Sequence, residues 1–286
     1  MIWAAFLLIT LGMTFVVLIR REHRFKIFWP YRSLEMFSLT SDLKYCVGRE
    51  GKVASNLQFP IFIITRDRVN SLRRAISSYN RLSTPWHLII CDHNSTYPPM
   101  VAYLDELKHR GVTIFHIRSS AWSEVIKDIR SYIQQYLAFH PDFKYYVVTD
   151  PDIGLNISAP DIMLFFAGVL ETCPGVNVVG PALQITNIPD YYRMKQKVIT
   201  HESQFWRSVP SMATWKGNSY HLAIQPIDTT FAMRRRTTAF VPLHDGTIRT
   251  YAPYMAIHLD WYLNSSDPGD DYRWYIRHQS GINHWR

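Results

Sequence analysis

Asp150-Pro151-Asp152 is the segment of this chain whose residue types and spacing most directly imply chemistry. Two carboxylates flank a proline whose ring fixes φ and stiffens the turn. They follow at once on Tyr145-Tyr146-Val147-Val148-Thr149, an apolar run that reads as a buried strand. Hard oxygens held in that way at a sheet edge suit Mg2+ or Mn2+ bridging a diphosphate. A solvated Asp-Pro turn is the plain alternative, since both residue types are common in turns. Position decides between them: an Asp-x-Asp string is common by composition, but one placed directly after a central strand is held rigidly against a shared crevice.

The elements that would position this turn are legible on either side of it. Phe59-Pro60-Ile61-Phe62-Ile63-Ile64 reads as a strand, followed by polar Thr65-Arg66-Asp67-Arg68 and by helical spacing at Val69, Leu72, Ala75, Ile76 and Tyr79. The rhythm repeats with a strand over 86–91 ending at Asp92, a helix over 100–110, a strand over 112–117 and a long helix over 122–139. A helix over 159–171 is expected after Pro160. Alternation of this kind predicts an α/β fold with a mainly parallel sheet covered by helices on both faces. In such sheets ligands bind beyond the carboxyl ends of the strands, so Thr65, Arg66, Asp92, Asp150 and Asp152 are expected to meet in one crevice. From Val176 onward the pattern breaks into shorter strands, one of them expected within 231–241, with polar aromatic loops between them.

The ordered segments Ile63-Ile64-Thr65-Arg66-Asp67-Arg68, Leu88-Ile89-Ile90-Cys91-Asp92-His93-Asn94-Ser95-Thr96 and Tyr146-Val147-Val148-Thr149-Asp150-Pro151-Asp152 resemble the nucleotide-sugar half of GT-A (Rossmann-like) glycosyltransferases, family 2-like in flavour. The resemblance covers about residues 59 to 175. It implies that Thr65 and Arg66 line the nucleotide pocket, that Asp92 contacts base or ribose, and that Asp150 and Asp152 serve the metal and the donor phosphates. His93-Asn94-Ser95 stands where an acidic residue and glycine are usual, a departure at Asp92's neighbours. Tyr254 to Tyr262 looks like a segment of a subset of these enzymes in which a late histidine completes the metal site, which carries His258 over as a third ligand. An inverting transferase also needs a carboxylate to take the acceptor hydroxyl's proton. Asp228 and Asp260 are the candidates. Asp228 is preferred, because it precedes an apolar strand-like stretch able to hold it.

The expected reaction is transfer of a sugar from a UDP- or GDP-sugar, with Mn2+ or Mg2+, to a glycan, lipid or protein hydroxyl. A nucleotidyltransferase acting on sugar phosphates is one rival; it should carry a glycine-rich phosphate loop after the first strand, and Thr65-Arg66-Asp67-Arg68 has no glycine. A non-catalytic carbohydrate-binding membrane protein on a transferase-like fold is the other. The balance of 31 Lys+Arg to 23 Asp+Glu favours anionic partners. Nucleic acid is not expected, because the basic residues are scattered except for Arg234-Arg235-Arg236, read as a solvated charge run, and a cluster at residues 20–26.

That second cluster follows Ile2 to Ile19, an apolar run close to the roughly 20 residues a helix needs to cross a bilayer. The organisation expected is a transmembrane anchor over 1–20, a stem over 21–58 and a catalytic domain over 59–286, with its donor half at 59–175 and its acceptor half at 176–286. The positive-inside tendency places the catalytic domain in the cytosol. Asn94, Asn156 and Asn264 begin Asn-x-Ser/Thr tripeptides, which suit the alternative of a Golgi or ER lumenal domain. Cys46, Cys91 and Cys173 are odd in number and far apart, so no disulfide framework is expected.

Overall fold

The computed structural model describes Val53 and residues 56–278, apart from 120, 208–210 and 243–245. The expected anchor and nearly all of the stem lie outside the described residues. Among those described, no helix is long and apolar enough to cross a membrane.

The first half is a parallel sheet formed by β1 (Phe59–Thr65), β2 (Trp86–Asp92), β3 (Thr113–His116) and β4 (Tyr145–Thr149). All seven residues of β1 are buried, as a strand covered on both faces requires. Alternate side chains go to opposite layers. Phe59, Ile61 and Ile63 enter a core shared with α1 (Val69–Tyr79), α2 (Pro98–His109) and α4 (Ile162–Thr172). Phe62 and Ile64 enter a second core built on α3 (Trp122–Phe139). Val125, Ile129, Ile133 and Leu137 form the stripe of α3 that meets this face, four residues apart as one helix face demands. Each such burial is worth about 1.5–3 kcal/mol relative to exposure.

The sheet continues, in the order β3-β2-β1-β4-β9-β6-β10-β8-β7, through β6 (Val178–Pro181), β7 (Ser211–Trp215), β8 (Asn218–Ile224), β9 (Ala232–Arg235) and β10 (Thr247–Thr250). Here parallel pairing survives only between β6 and β10; β9 lies antiparallel between β4 and β6. The mixed α/β sheet is therefore parallel in its N-terminal half and largely antiparallel beyond. The strand expected within 231–241 spans only four residues. A small second sheet pairs β5 (Ile153–Gly154) with β11 (Ile257–His258). The remaining helices are α5 (Lys195–Glu202), continued by a 3-10 turn at Ser203–Trp206, and α6 (Asp270–His278).

Two expectations are corrected. Arg234 is fully buried, donating to the carbonyls of Ala232 (3.1 Å) and Val241 (3.2 Å). Arg235 donates to carbonyls of Leu170, Cys173 and Val176 at the end of α4, and Arg236 to those of Leu137 and His140 at the end of α3. The basic run is not a solvated face. Arg235 and Arg236 satisfy carbonyls that helix ends leave unpaired and place positive charge at the negative end of each dipole. Cys173 is disulfide-bonded, while Cys91 is a buried free thiol.

Candidate active site

Parallel registry puts Thr65 opposite Asp92, so β1 and β2 end level with one another. The next strand, β4, ends at Thr149, and the Asp150-Pro151-Asp152 turn passes over the same edge. From there the chain enters β5, which pairs with β11 so that His258 faces Ile153 across the ladder. Asp152 also accepts the backbone N–H of Leu259 at 2.6 Å. Gly154 is needed for this approach, because a Cβ there would lie 2.9 Å from both Asn156 Oδ1 and Leu259 Cδ2. A short β-pair thus brings together two residues more than a hundred positions apart. His258 Nε2 lies 3.6 Å from Asp152 Oδ2.

Asp152 is 5 % exposed, and its Oδ1 has no hydrogen-bond partner. Its Oδ2 accepts from Arg68 Nη2 at 3.2 Å. Arg68 is also ion-paired with Asp260, which accepts from Ser71 Oγ at 3.2 Å. Burial pushes the Asp152 carboxyl up, but His258 and Arg68 outweigh it and hold the group below its ordinary range. At Asp150 the balance is reversed: burial and the Asp152 and Asp228 carboxylates raise it well above that range, against a hydrogen bond from Thr229 Oγ1 to Oδ2 of 2.5 Å. For Asp260, burial outweighs Arg68 and the carboxyl is raised. The turn therefore pairs one carboxyl, Asp152, that favours its charged form with a second, Asp150, that favours keeping its proton.

Thr229 also accepts the backbone N–H of Asp150 at 2.9 Å. The loop carrying Asp228 is pinned at its other end, where Arg249 Nε donates to the carbonyl of Pro226 at 2.8 Å. Arg249 is itself seated on buried Glu202, 3.3 Å away. Past the loop, Phe231 is fully buried with φ of 46°, a conformation side chains seldom adopt and which surrounding structure must enforce. Asp228 is exposed, with Thr230 Oγ1 donating to its Oδ1 at 2.6 Å. Asp260, the other base candidate, is buried against Arg68.

At the end of β1, Thr65 is buried and its Oγ1 has no hydrogen-bond partner. Arg66 Nη2 donates to the carbonyl of His278 at 3.1 Å, and its Nε has no hydrogen bond. The Asp92 carboxylate is engaged within its own loop, accepting from Ser95 Oγ at 2.5 Å and lying 3.3 Å from His116 Nδ1. Asp67, also unassigned by sequence, anchors the loop into α2 by accepting the N–H groups of Thr96 (2.5 Å) and Tyr97 (2.7 Å).

Asp152 and His258 are thus brought into contact, with Asp150 in the same turn but held toward Thr229. Among the described residues no three His, Cys, Asp or Glu side chains stand together as a metal-binding group. The donor chemistry nevertheless fits a divalent cation: a buried carboxylate oxygen without a hydrogen bond, an adjacent imidazole and a second carboxyl in the same turn. Sequence reasoning missed Arg68, Thr229 and the Glu202–Arg249 pair. Arg68 offers one weak signal, a cation set directly before an apolar helix; its partner Asp260 lies far away in sequence.

No family model matches the chain, and no curated protein matches its sequence. Similar solved structures include the mannosyltransferase PcManGT from Pyrobaculum calidifontis in complex with GDP-Man and Mn2+, at 15 % identity and a TM-score of 0.36, covering 54 % of this chain and 44 % of that one. S. aureus TarS 1-349 in complex with UDP-GlcNAc is similar at 9 % identity and 0.39, over 63 % and 46 %. Glucosyl-3-phosphoglycerate synthase from Mycobacterium tuberculosis in complex with phosphoglyceric acid is similar at 14 % and 0.33, over 73 % and 63 %. The chain spans less than two thirds of each. Likenesses this remote carry no assignment of substrate.

Proposed function

We propose that this chain is a metal-assisted glycosyltransferase of the GT-A type, using a UDP- or GDP-sugar and a hydroxyl acceptor on a glycan, lipid or protein. The observation that carries the reading is the concentration of unsatisfied buried polar atoms at one strand edge: Thr65 Oγ1, Arg66 Nε, Arg68 Nε, Asp152 Oδ1 and His258 Nδ1. Buried groups of this kind are nearly always paired, so a cluster without partners marks where a polar ligand belongs. Donors on the β1 loop suit phosphate oxygens, and acceptors on the Asp150–Asp152 turn suit a cation. Asp150, Asp152 and His258 would hold Mn2+ or Mg2+, which neutralises charge on a departing nucleoside diphosphate.

The chain's own residues supply the rest. Thr65 and Arg66 line the donor side, while Asp92 orders the adjoining loop and borders the base or ribose. Asp228 is the general base. It is exposed to an incoming acceptor and fixed to the donor turn through Thr229. As the acceptor oxygen attacks the anomeric carbon, its proton passes to Asp228 and the bond to the nucleoside diphosphate breaks with inversion. Asp260 neutralises Arg68 instead of taking that proton. The apolar segment before residue 20 is proposed as a membrane anchor, with the catalytic domain on the cytosolic side.

Asp228→Asn tests the assignment. Turnover of the nucleotide sugar should fall about 10²–10⁴-fold, the usual contribution of a positioned base, with donor affinity retained. Undiminished turnover in the variant would assign the proton to another group.

A further inference from the structure

Arg68 has the least ordinary environment in the molecule. It is 7 % exposed, yet it directly precedes α1 at the edge where ligands bind. Its Nη2 meets both Asp152 and Asp260, and Ser71 Oγ lies 3.2 Å from the same nitrogen. Two rings of α6 close over it, with the guanidinium carbon 5.6 Å from the Tyr272 centroid and 5.2 Å from that of Tyr275. Among the described residues, the buried cation that meets both Asp152 and Asp260 is this guanidinium, with His258 alongside Asp152. One oxygen of Asp152 is nevertheless left buried and unpaired.

We infer that Arg68 is a resident counter-charge, holding the place of the divalent cation at Asp152 until the metal and donor arrive. The inference rests on the metal-assisted reading above and adds a competition to it. A guanidinium and a divalent ion share the attraction of one carboxylate, so each weakens the other's hold. The guanidinium keeps Asp152 and Asp260 from facing each other unpaired. Once Asp152 is neutralised by the metal, Arg68 is released from that pair, and its unpaired Nε–H becomes a donor to a diphosphate oxygen.

The test is Mn2+ binding by the full-length chain without nucleotide, followed by electron paramagnetic resonance of unbound Mn2+. Arg68→Gln should bind Mn2+ about tenfold more tightly than the parent, and Arg68→Lys, which keeps the charge, should stay close to it. If Arg68→Gln does not fold in EDTA, it should fold in Mn2+, because the ion takes over the neutralising role. Equal affinity in all three proteins overturns the inference, as does an Arg68→Gln chain unfolded in both conditions. No nucleotide is present, so these outcomes are separable from a failure of donor binding, which would count against the transferase reading itself.

Discussion

Asp150 carries the cost of the site in the clearest form. Its carboxyl is raised well above 3.8 by burial and by the Asp152 and Asp228 charges, whereas in the unfolded chain it ionises near that value. Its contribution to stability is therefore most favourable below pH 3.8 and declines as pH rises toward the folded-state value. Asp150→Asn keeps an acceptor for Thr229 and removes the repulsion. It should raise the melting temperature near neutral pH by about 2–4 °C, the response to roughly 1 kcal/mol in a domain of this size, while weakening metal binding. Calorimetry at pH 4 and pH 7 checks this, since the gain should shrink at the lower pH. The Asp150–Asp152 pair was legible in sequence because its meaning is local: two carboxylates, a proline and a preceding strand. The pairing of Arg68 with Asp260 was not, although Asp260 was itself a base candidate, because a buried ion pair leaves no periodic trace and its halves come from opposite ends of the domain.

At the scale of elements, legibility follows burial geometry. Strands β1 and β4 are buried throughout, and β2 from Ile89 onward, so they read as largely apolar runs. Past Val176 the signal weakens because β7 and the start of β8 are partly exposed, and β9 is short, with arginines in half of its four positions. Only the fold reveals that Arg235 serves a helix end and that Arg234 is buried against strand and loop carbonyls. The C-terminal α6 is likewise silent in sequence, yet it packs over Arg68 and the start of α1. Asp271 accepts from the backbone N–H and the side-chain amide of Asn70 at 2.8 and 2.9 Å, placing a carboxylate at the positive end of α1. Trp274 adds a hydrogen bond to Thr96 Oγ1 at 3.3 Å. Removing Asp271 leaves that helix end without its partner, so Asp271→Ala should undock α6 at a cost of about 1–3 kcal/mol. Hydrogen exchange over 270–278 should accelerate while β1 and β4 stay protected. Unchanged exchange there would mean that ring packing alone holds the helix.

For the molecule as a whole, the sequence pointed to one crevice at the carboxyl edge of an α/β sheet. The fold brings the Asp150–Asp152 turn, His258 and the β1 loop to that edge. The excess of 31 Lys+Arg over 23 Asp+Glu does not mark this crevice; part of it lies within the fold, where Arg234 is buried and Arg235 and Arg236 bond helix-end carbonyls. The central claim is that the crevice binds a sugar nucleotide through a cation at Asp152. The direct measurement is calorimetric titration of the full-length chain with UDP- and GDP-sugars in Mn2+, in Mg2+ and in EDTA, alongside Asp152→Asn. The account predicts saturable binding of at least one donor, strengthened by the metal, with that metal-dependent gain lost in the variant. A parent chain that binds no donor under any of these conditions, or a variant that keeps the full metal dependence, would contradict it.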